Sequence, residues 1–167
     1  FEYSYDDMHS RQDRIFRVEA RFYENGELTD DGASSSAGYA TAMKQNMSGI
    51  EDYTRVGSQY YPEQVVKYNE LLYRETGIGY AEANFFNFFD FKLLKGNKEN
   101  CLDGPNKVVI TERIAHKYFK GENPIGKILI FRSNIGEEAC EVTGIMEDMP
   151  VNTHVRYSLL ISYKTLP

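Results

Sequence analysis

One stretch constrains the fold of this chain more than any other: Val108 to Phe131, VVITERIAHKYFKGENPIGKILIF. Val108, Val109 and Ile110 are consecutive apolar β-formers, which predicts a buried strand. Thr111 then supplies an N-cap oxygen, and Glu112 places a negative charge at the positive end of the helix that follows. Ile114, Ala115, Tyr118 and Phe119 fall at i, i+1, i+4 and i+5, one face of a short helix turned to the core. Gly121 is placed to stop the helix, and Pro124 prevents its resumption. Gly126 marks a turn, and Lys127 to Phe131 reads as the next strand. Strand, helix, Asn-Pro-Ile-Gly turn and strand make a compact α/β unit by the usual connection lengths.

The rest of the chain is read around that unit. Residues 4–13 predict a short helix, with Tyr5, Met8, His9 and Gln12 on one face and Ser4 or Asp6 as cap. Arg14 to Tyr23 alternates, which predicts a half-buried strand with Phe16, Val18 and Phe22 inward. Asn25-Gly26 is a hairpin turn signal. Residues 29–38, TDDGASSSAG, lack periodicity and read as loop. Tyr39 to Met47 reads as a helix with Tyr39, Met43 and Met47 on a core-filling stripe. Ile50 to Tyr61 is β-rich, and Gln64–Tyr68 and Glu70–Gly77 are short strands around Asn69. Together these predict a β-rich subdomain over residues 50–80. Gly77-Ile78-Gly79 permits close backbone approach but lacks the rest of a dinucleotide fingerprint. Five Phe between Phe85 and Phe91 suit a helical knot that caps a core. Residues 97–107 are a polar loop broken at Gly104-Pro105. Arg132 to Glu138 reads as a turn, Ala139 to Ile145 as a strand with Gly144 at a bulge or close contact, and Ser158 to Ser162 as the last strand. Between them Asn152, Thr153 and His154 form a turn. The fold class is therefore α+β: short βαβ-type units on a mixed sheet with a protruding β-rich subdomain.

Charge and length exclude several functions. The net charge of −6 opposes a nucleic-acid surface, which needs clustered Lys and Arg, and opposes docking on anionic lipid. No apolar run approaches the roughly 20 residues that span a bilayer. The opening FEYSYDD is polar and acidic, unlike a signal peptide, and the abrupt start and end of the chain give the expectation of an excised soluble piece of something larger. Cys101 and Cys140 are too few for a disulfide scaffold and have no metal-site spacing. In an oxidising compartment they can pair; the simpler reading is two independent thiols, Cys101 in a loop and Cys140 on a strand.

Several strings resemble one family. T-E-x-x-A-x-x-x-F (Thr111, Glu112, Ala115, Phe119), then Asn123-Pro124-Ile125-Gly126-Lys127, then V-T-G-I with Gly144, and Met149-Pro150…His154 together resemble the MacB-like periplasmic core domain of FtsX-type ABC transporter permeases. Y-D-x-x-H-x-x-x-D-R-I-F-R-V (Tyr5 to Val18) is similar to the segment just beyond the family's first membrane helix. A-x-x-x-F-F-x-x-F-x-F-x-L-L-x-G (Ala81 to Gly96) is similar to its link into the central unit. The likeness covers most of Tyr5 to Ser162, while the family's domain usually runs further than Pro167. It implies a non-catalytic domain on the periplasmic face of the bacterial inner membrane, attached only through flanking helices absent from this chain. It also implies a separate cytoplasmic ATPase and an adaptor, lipoprotein or exported peptide as partner, with no cofactor.

The residues themselves carry little catalytic signal. His9, His116 and His154 have no ligand-like spacing, so no metal site is expected. There is no G-x-S-x-G, Walker A or EF-hand string. Asp6-Asp7 and Asp30-Asp31 read as solvated loop or first-turn charges, His116 as exposed, His9 as packed against the next strand, and His154 as a turn-bracing histidine. Two alternatives stand beside the permease reading: a freestanding periplasmic hydrolase using His154 and nearby carboxylates, and a passive envelope binding module. Residues 58–73 hold four Tyr and one Lys, an interface-like composition. Neighbours Tyr60 and Tyr61 must face opposite sides of a strand, so one of them is expected to be exposed; the pair is the candidate partner contact, the alternative being an ordinary edge strand whose Tyr cover the sheet.

Overall fold

The computed structural model describes residues 5–32, 35–58, 63–133 and 136–166. Its elements in chain order are β1 (Ala20–Glu24), β2 (Glu27–Gly32), α1 (Tyr39–Asn46), β3 (Val56–Gly57), β4 (Glu63–Tyr68), β5 (Leu71–Thr76), β6 (Ile78–Ala81), α2 (Phe85–Phe88), β7 (Leu93–Lys95), β8 (Lys107–Thr111), α3 (Glu112–Phe119), β9 (Ile128–Ser133), β10 (Gly136–Met146) and β11 (Leu159–Ser162). The fold is α+β. The chain divides into two compact units, residues 9–53 in one and residues 1–8 with 54–167 in the other.

The larger unit is built on a mixed nine-stranded sheet, ordered β3-β6-β11-β8-β10-β9-β4-β5, with β7 added against β10. β8 runs parallel to β10 and antiparallel to β11, and β6 runs parallel to β11. β9 does not lie beside β8, because the long β10 is inserted between them. β10 pairs with β9 along its first half and with β7 at its end. Val108, Val109 and Ile110 are fully buried, as a strand covered on both faces requires. Tyr80, Ile161 and Val108 are in register on one side and Gly79, Leu160 and Val109 on the other. The first side packs against Ile114, Tyr118 and Phe119 of α3, with Leu129, Phe131, Cys140 and Val142 completing that core and Ala115 partly buried at its edge. Burying each of the large side chains contributes roughly 1.5–3 kcal/mol.

α3 begins and ends as its sequence dictates. The Thr111 hydroxyl accepts a hydrogen bond from the Ile114 amide at 3.4 Å, and Glu112 occupies the first turn. Two successive left-handed residues, Lys120 (φ 49°) and Gly121 (φ 96°), end the helix. In the next turn the Gly126 amide donates to the Val142 carbonyl at 2.8 Å, and the Val142 amide donates to Lys127 at 2.8 Å. The Asn-Pro-Ile-Gly turn is thus stitched to β10. The five phenylalanines form their own cluster: Phe85 and Phe91 stack at 5.6 Å, and Phe85 meets Phe86 edge-on at 5.1 Å.

Several expectations are corrected. The strands expected in residues 50–80 form, but they belong to the nine-stranded sheet, β4 and β5 at one edge and β3 and β6 toward the other. Between Ile50 and Ser58 only Val56–Gly57 is strand. The expected turn over 132–138 is shorter, since β9 reaches Ser133 and β10 starts at Gly136. The expected N-terminal helix is a set of turns followed by a 3-10 turn at Gln12–Arg14.

In residues 9–53 the Asn25-Gly26 turn does join a hairpin, β1 with β2, through left-handed Asn25 and Gly26. Its first strand starts only at Ala20, and its second, Glu27–Gly32, takes in residues 29–32 of the expected loop. Phe16 is 82% exposed and Phe22 45% exposed, so neither points inward. Alternation signals a covered face only where a layer exists to cover it, and β2, ELTDDG, brings no apolar one. α1 forms where predicted, but Tyr39 and Met47 are exposed and Met43 is half-buried; its stripe is not core.

Candidate functional site: the loop between β10 and β11

The residues singled out from sequence fall into two groups. Thr111, Glu112, Ala115, Phe119, Asn123, Pro124 and Gly126 lie from the end of β8 to the turn before β9, with Phe119 in the core and Ala115 at its edge, and Gly144 lies on β10. Gly144 sits at an irregularity in the β8–β10 register. A Cβ there would lie 3.1 Å from the side chains of Leu93 and Val109 and 3.2 Å from the Lys95 carbonyl, so both features expected of it are present. Pro150 and His154 lie in the loop between β10 and β11. Tyr60 and Tyr61 lie outside the described residues.

That loop carries a series of polar contacts. At its start, Asp148 accepts the Arg113 amide at 3.2 Å, and the Arg113 guanidinium lies 3.6 Å from the same carboxylate. The guanidinium also donates to the Ser158 hydroxyl at 2.8 Å. Asp148 thus occupies the positive end of α3, where a carboxylate is favoured. Arg113, Asp148, Met149, Arg156, Tyr157 and Ser158 line an open depression of about 250 Å³. Behind it, a Cβ on Gly79 would lie 2.5 Å from the Tyr157 ring; only glycine lets that ring lie on β6.

At the loop's middle, residues from both ends of the sequence meet. Asp6 accepts the Thr153 hydroxyl at 2.5 Å and the His154 amide at 3.3 Å on one oxygen. Its other oxygen lies 2.6 Å from His154 Nδ1. The Asp6 amide donates to the Asn152 carbonyl at 3.0 Å, and the Tyr5 ring lies 4.8 Å from the imidazole. Partial burial works to raise the Asp6 carboxyl, but these hydrogen bonds and the imidazole outweigh it and hold it below the ordinary aspartate range. Asp6 was expected to be a helix cap or a solvated or first-turn charge, and it is instead the acceptor at the centre of this cluster.

The Asp6–His154 pair is the orienting half of a hydrolytic arrangement. The other half would be a nucleophile at Nε2. The Thr153 hydroxyl is directed at Asp6, and the His154 side chain is 62% exposed rather than set in a cleft. The arrangement braces the loop between β10 and β11 against the segment at Asp6.

A second polar cluster was not anticipated. Glu75 on β5 is 5% exposed, and its carboxylate pairs with Lys117 at 2.6 Å and accepts from the Tyr118 hydroxyl at 2.8 Å. Burial first, then the carboxylate, pushes the Tyr118 phenol well up. Lys117 also lies 4.4 Å over the Tyr73 ring. These contacts fasten the β4–β5 edge to α3. A tyrosine on a core-facing helical stripe was the available signal, since a buried phenol needs a partner. Cys101 and Cys140 are separate buried thiols, pushed up to about 11 and about 12 by burial.

Comparison with known proteins agrees with this architecture. The MacB-like periplasmic core domain family matches residues 1–167. No curated protein matches. Among solved structures, one described as a domain of a permease protein from Porphyromonas gingivalis is 25% identical, with a TM-score of 0.69 over 82% of this chain. The periplasmic region of MacB from Actinobacillus actinomycetemcomitans is 19% identical, with a TM-score of 0.57 over 75%. The extracellular domain of the noncanonical ABC-type transporter YknZ from Gram-positive bacteria is 16% identical, with a TM-score of 0.54 over 76%. This chain spans 61%, 54% and 62% of those three structures, respectively. No helix among the described residues is long and apolar enough to cross a membrane. The chain belongs to the MacB-like periplasmic core domain family.

Proposed function

We propose that this chain works as the extracytoplasmic domain of an FtsX-type ABC transporter permease, on the periplasmic side of a bacterial inner membrane. Flanking membrane helices anchor it, and a separate cytoplasmic subunit hydrolyses ATP. Its own role is to relay conformational change to an exported substrate, an adaptor or a lipoprotein, in the efflux direction. The observation that carries this reading is the family match along the entire chain. Thr111, Glu112, Ala115, Phe119, Asn123, Pro124, Gly126, Gly144, Pro150 and His154 then act as scaffold rather than as reacting groups. The decisive observation is the gene around this segment: apolar stretches of about 20 residues on both sides support the reading. A cleavable signal before Phe1 with a stop codon after Pro167 would overturn it.

The proposed partner contact is the Tyr60–Tyr61 segment that leads into β4. Its support is the tyrosine-rich, lysine-poor composition and the exposure of Leu72 and Tyr73 on the neighbouring edge strand. Alanine at Tyr60 and Tyr61 in the full-length transporter should reduce transport and partner cross-linking at unchanged protein level. Wild-type behaviour of that variant would remove this surface from the proposal.

A further inference from the structure

Arg156 lies in the loop between β10 and β11 and is exposed. Among the described residues it is the one arginine whose side chain has no hydrogen bond, ion pair or ring contact. It lines the open depression of about 250 Å³ together with Arg113, Asp148, Met149, Tyr157 and Ser158. Arg113 is already answered there, by the Asp148 carboxylate and the Ser158 hydroxyl. Two guanidiniums thus share the depression with one carboxylate, which leaves one positive charge uncompensated in a chain of net charge −6. Met149 and Tyr157, both half-buried, give the depression an apolar side. Their placement is fixed: the Tyr157 amide donates to the Met149 sulfur at 3.2 Å, and the Tyr157 ring lies against Gly79. The Ser158 amide donates to the Gly77 carbonyl at 2.7 Å, and the Ser158 carbonyl accepts the Thr111 amide at 3.0 Å. The depression is therefore anchored to the chain at the start of β6 and the end of β8.

We propose that this depression docks an acidic segment of a protein partner, with a carboxylate on Arg156 and a neighbouring apolar side chain against Met149 and Tyr157. The proposal rests on the reading above, in which the domain meets a substrate, adaptor or lipoprotein, and gives that partner a chemistry. A guanidinium matches a carboxylate with two parallel N–H···O bonds, and the thioether and aromatic surface adds the apolar part. Size favours part of a polypeptide over a free metabolite. Small-molecule pockets hold about 300–1,000 Å³ and enclose most of their ligand, whereas this depression is smaller and open. A membrane surface does not fit either, because anionic lipid is read by clusters of about four to eight Lys or Arg, and here a single cation is uncompensated.

Peptide titration followed by amide NMR of the chain tests it. The probe acetyl-Leu-Glu-Phe-amide should shift the Tyr157 and Ser158 amide resonances saturably. Acetyl-Leu-Gln-Phe-amide lacks the charge and acetyl-Gly-Glu-Gly-amide lacks the apolar neighbours; each should bind about tenfold or more weakly. Arg156→Gln should bind the Glu and Gln peptides alike, and Arg156→Lys should keep part of the difference. Arg156 is exposed, so the β8 resonances should stay in place in both variants, which checks the fold. No saturable shift with the Glu peptide would overturn the site. Acetate shifting the same resonances as tightly as the peptide would overturn it too, as that would be an anion site only. Arg156→Gln binding the Glu peptide as the wild type does would also defeat it. The titration needs neither membrane nor ATPase, so its failure strikes this site alone, while the permease reading is decided by the sequence flanking the segment.

Discussion

Single residues set the tightest constraints in this fold, and glycines set several of them. Gly96 has φ 103°, and a Cβ there would lie 2.6 Å from the Thr143 carbonyl oxygen. Both the backbone angle and the contact exclude a side chain, because the obstacle is main chain of β10. Gly96→Ala is therefore expected to cost about 1–3 kcal/mol or more, read as a lower denaturation midpoint. An unchanged midpoint would show that the turn after β7 is placed wrongly. Asp6 makes a different demand. Its carboxyl lies below the ordinary aspartate value of 3.8, so the folded state prefers the charged form. The stabilisation is present above that value and is lost as the pH falls through the lower folded one. Asp6→Asn should flatten the acid limb of the stability profile and leave its alkaline limb in place. An acid limb identical to wild type would mean the carboxylate is not held as described. Gly96 stood in the sequence only as the end of a family-like string, and Asp6 only as one of two adjacent acids. Neither identity reveals which distant backbone approaches it.

The elements were legible to the degree that their own residues carried the signal. The β8–α3 unit was readable because Val108 to Ile110, the Thr111 cap and the Ile114–Tyr118–Phe119 face are local features with one consistent interpretation. Phe119 is buried and in ring contact with Tyr68 at 4.5 Å, so Phe119→Ala should cost about 3–5 kcal/mol. A chemical denaturation midpoint unchanged by that substitution would contradict the packing of α3 on the sheet. Strand order was not legible, since the insertion of β10 between β8 and β9 depends on pairing across the chain. The sequence around the hairpin strand β1 misleads for a related reason. Its alternation is real, but alternation reports a buried face only if another element supplies the cover. The Glu75–Lys117–Tyr118 cluster likewise required knowing that β5 lies under α3.

At the scale of the whole molecule, the two units differ in what they bury. The sheet-bearing unit has Val108, Val109, Ile110, Leu129, Val142 and Leu159–Ile161 at zero exposure. Among the described residues from His9 to Tyr53, only His9 and Ala20 are buried, while Phe16, Phe22, Tyr23, Leu28, Tyr39 and Met47 are exposed. A two-stranded hairpin is marginal in water without a third strand or a packed layer, and α1, at eight residues, is shorter than the roughly 12–15 that hold an isolated helix. Regions that bury few apolar side chains open at far lower free energy than the global value. Amide exchange on the isolated chain should therefore fall into two classes. Residues 20–32 and 39–46 should exchange early, and β8, β10 and β11 should persist until global unfolding. One common exchange rate for all of these segments would mean that residues 9–53 draw their stability from the sheet-bearing unit. Early loss of β8 would instead show that the nine-stranded sheet is not the stable core.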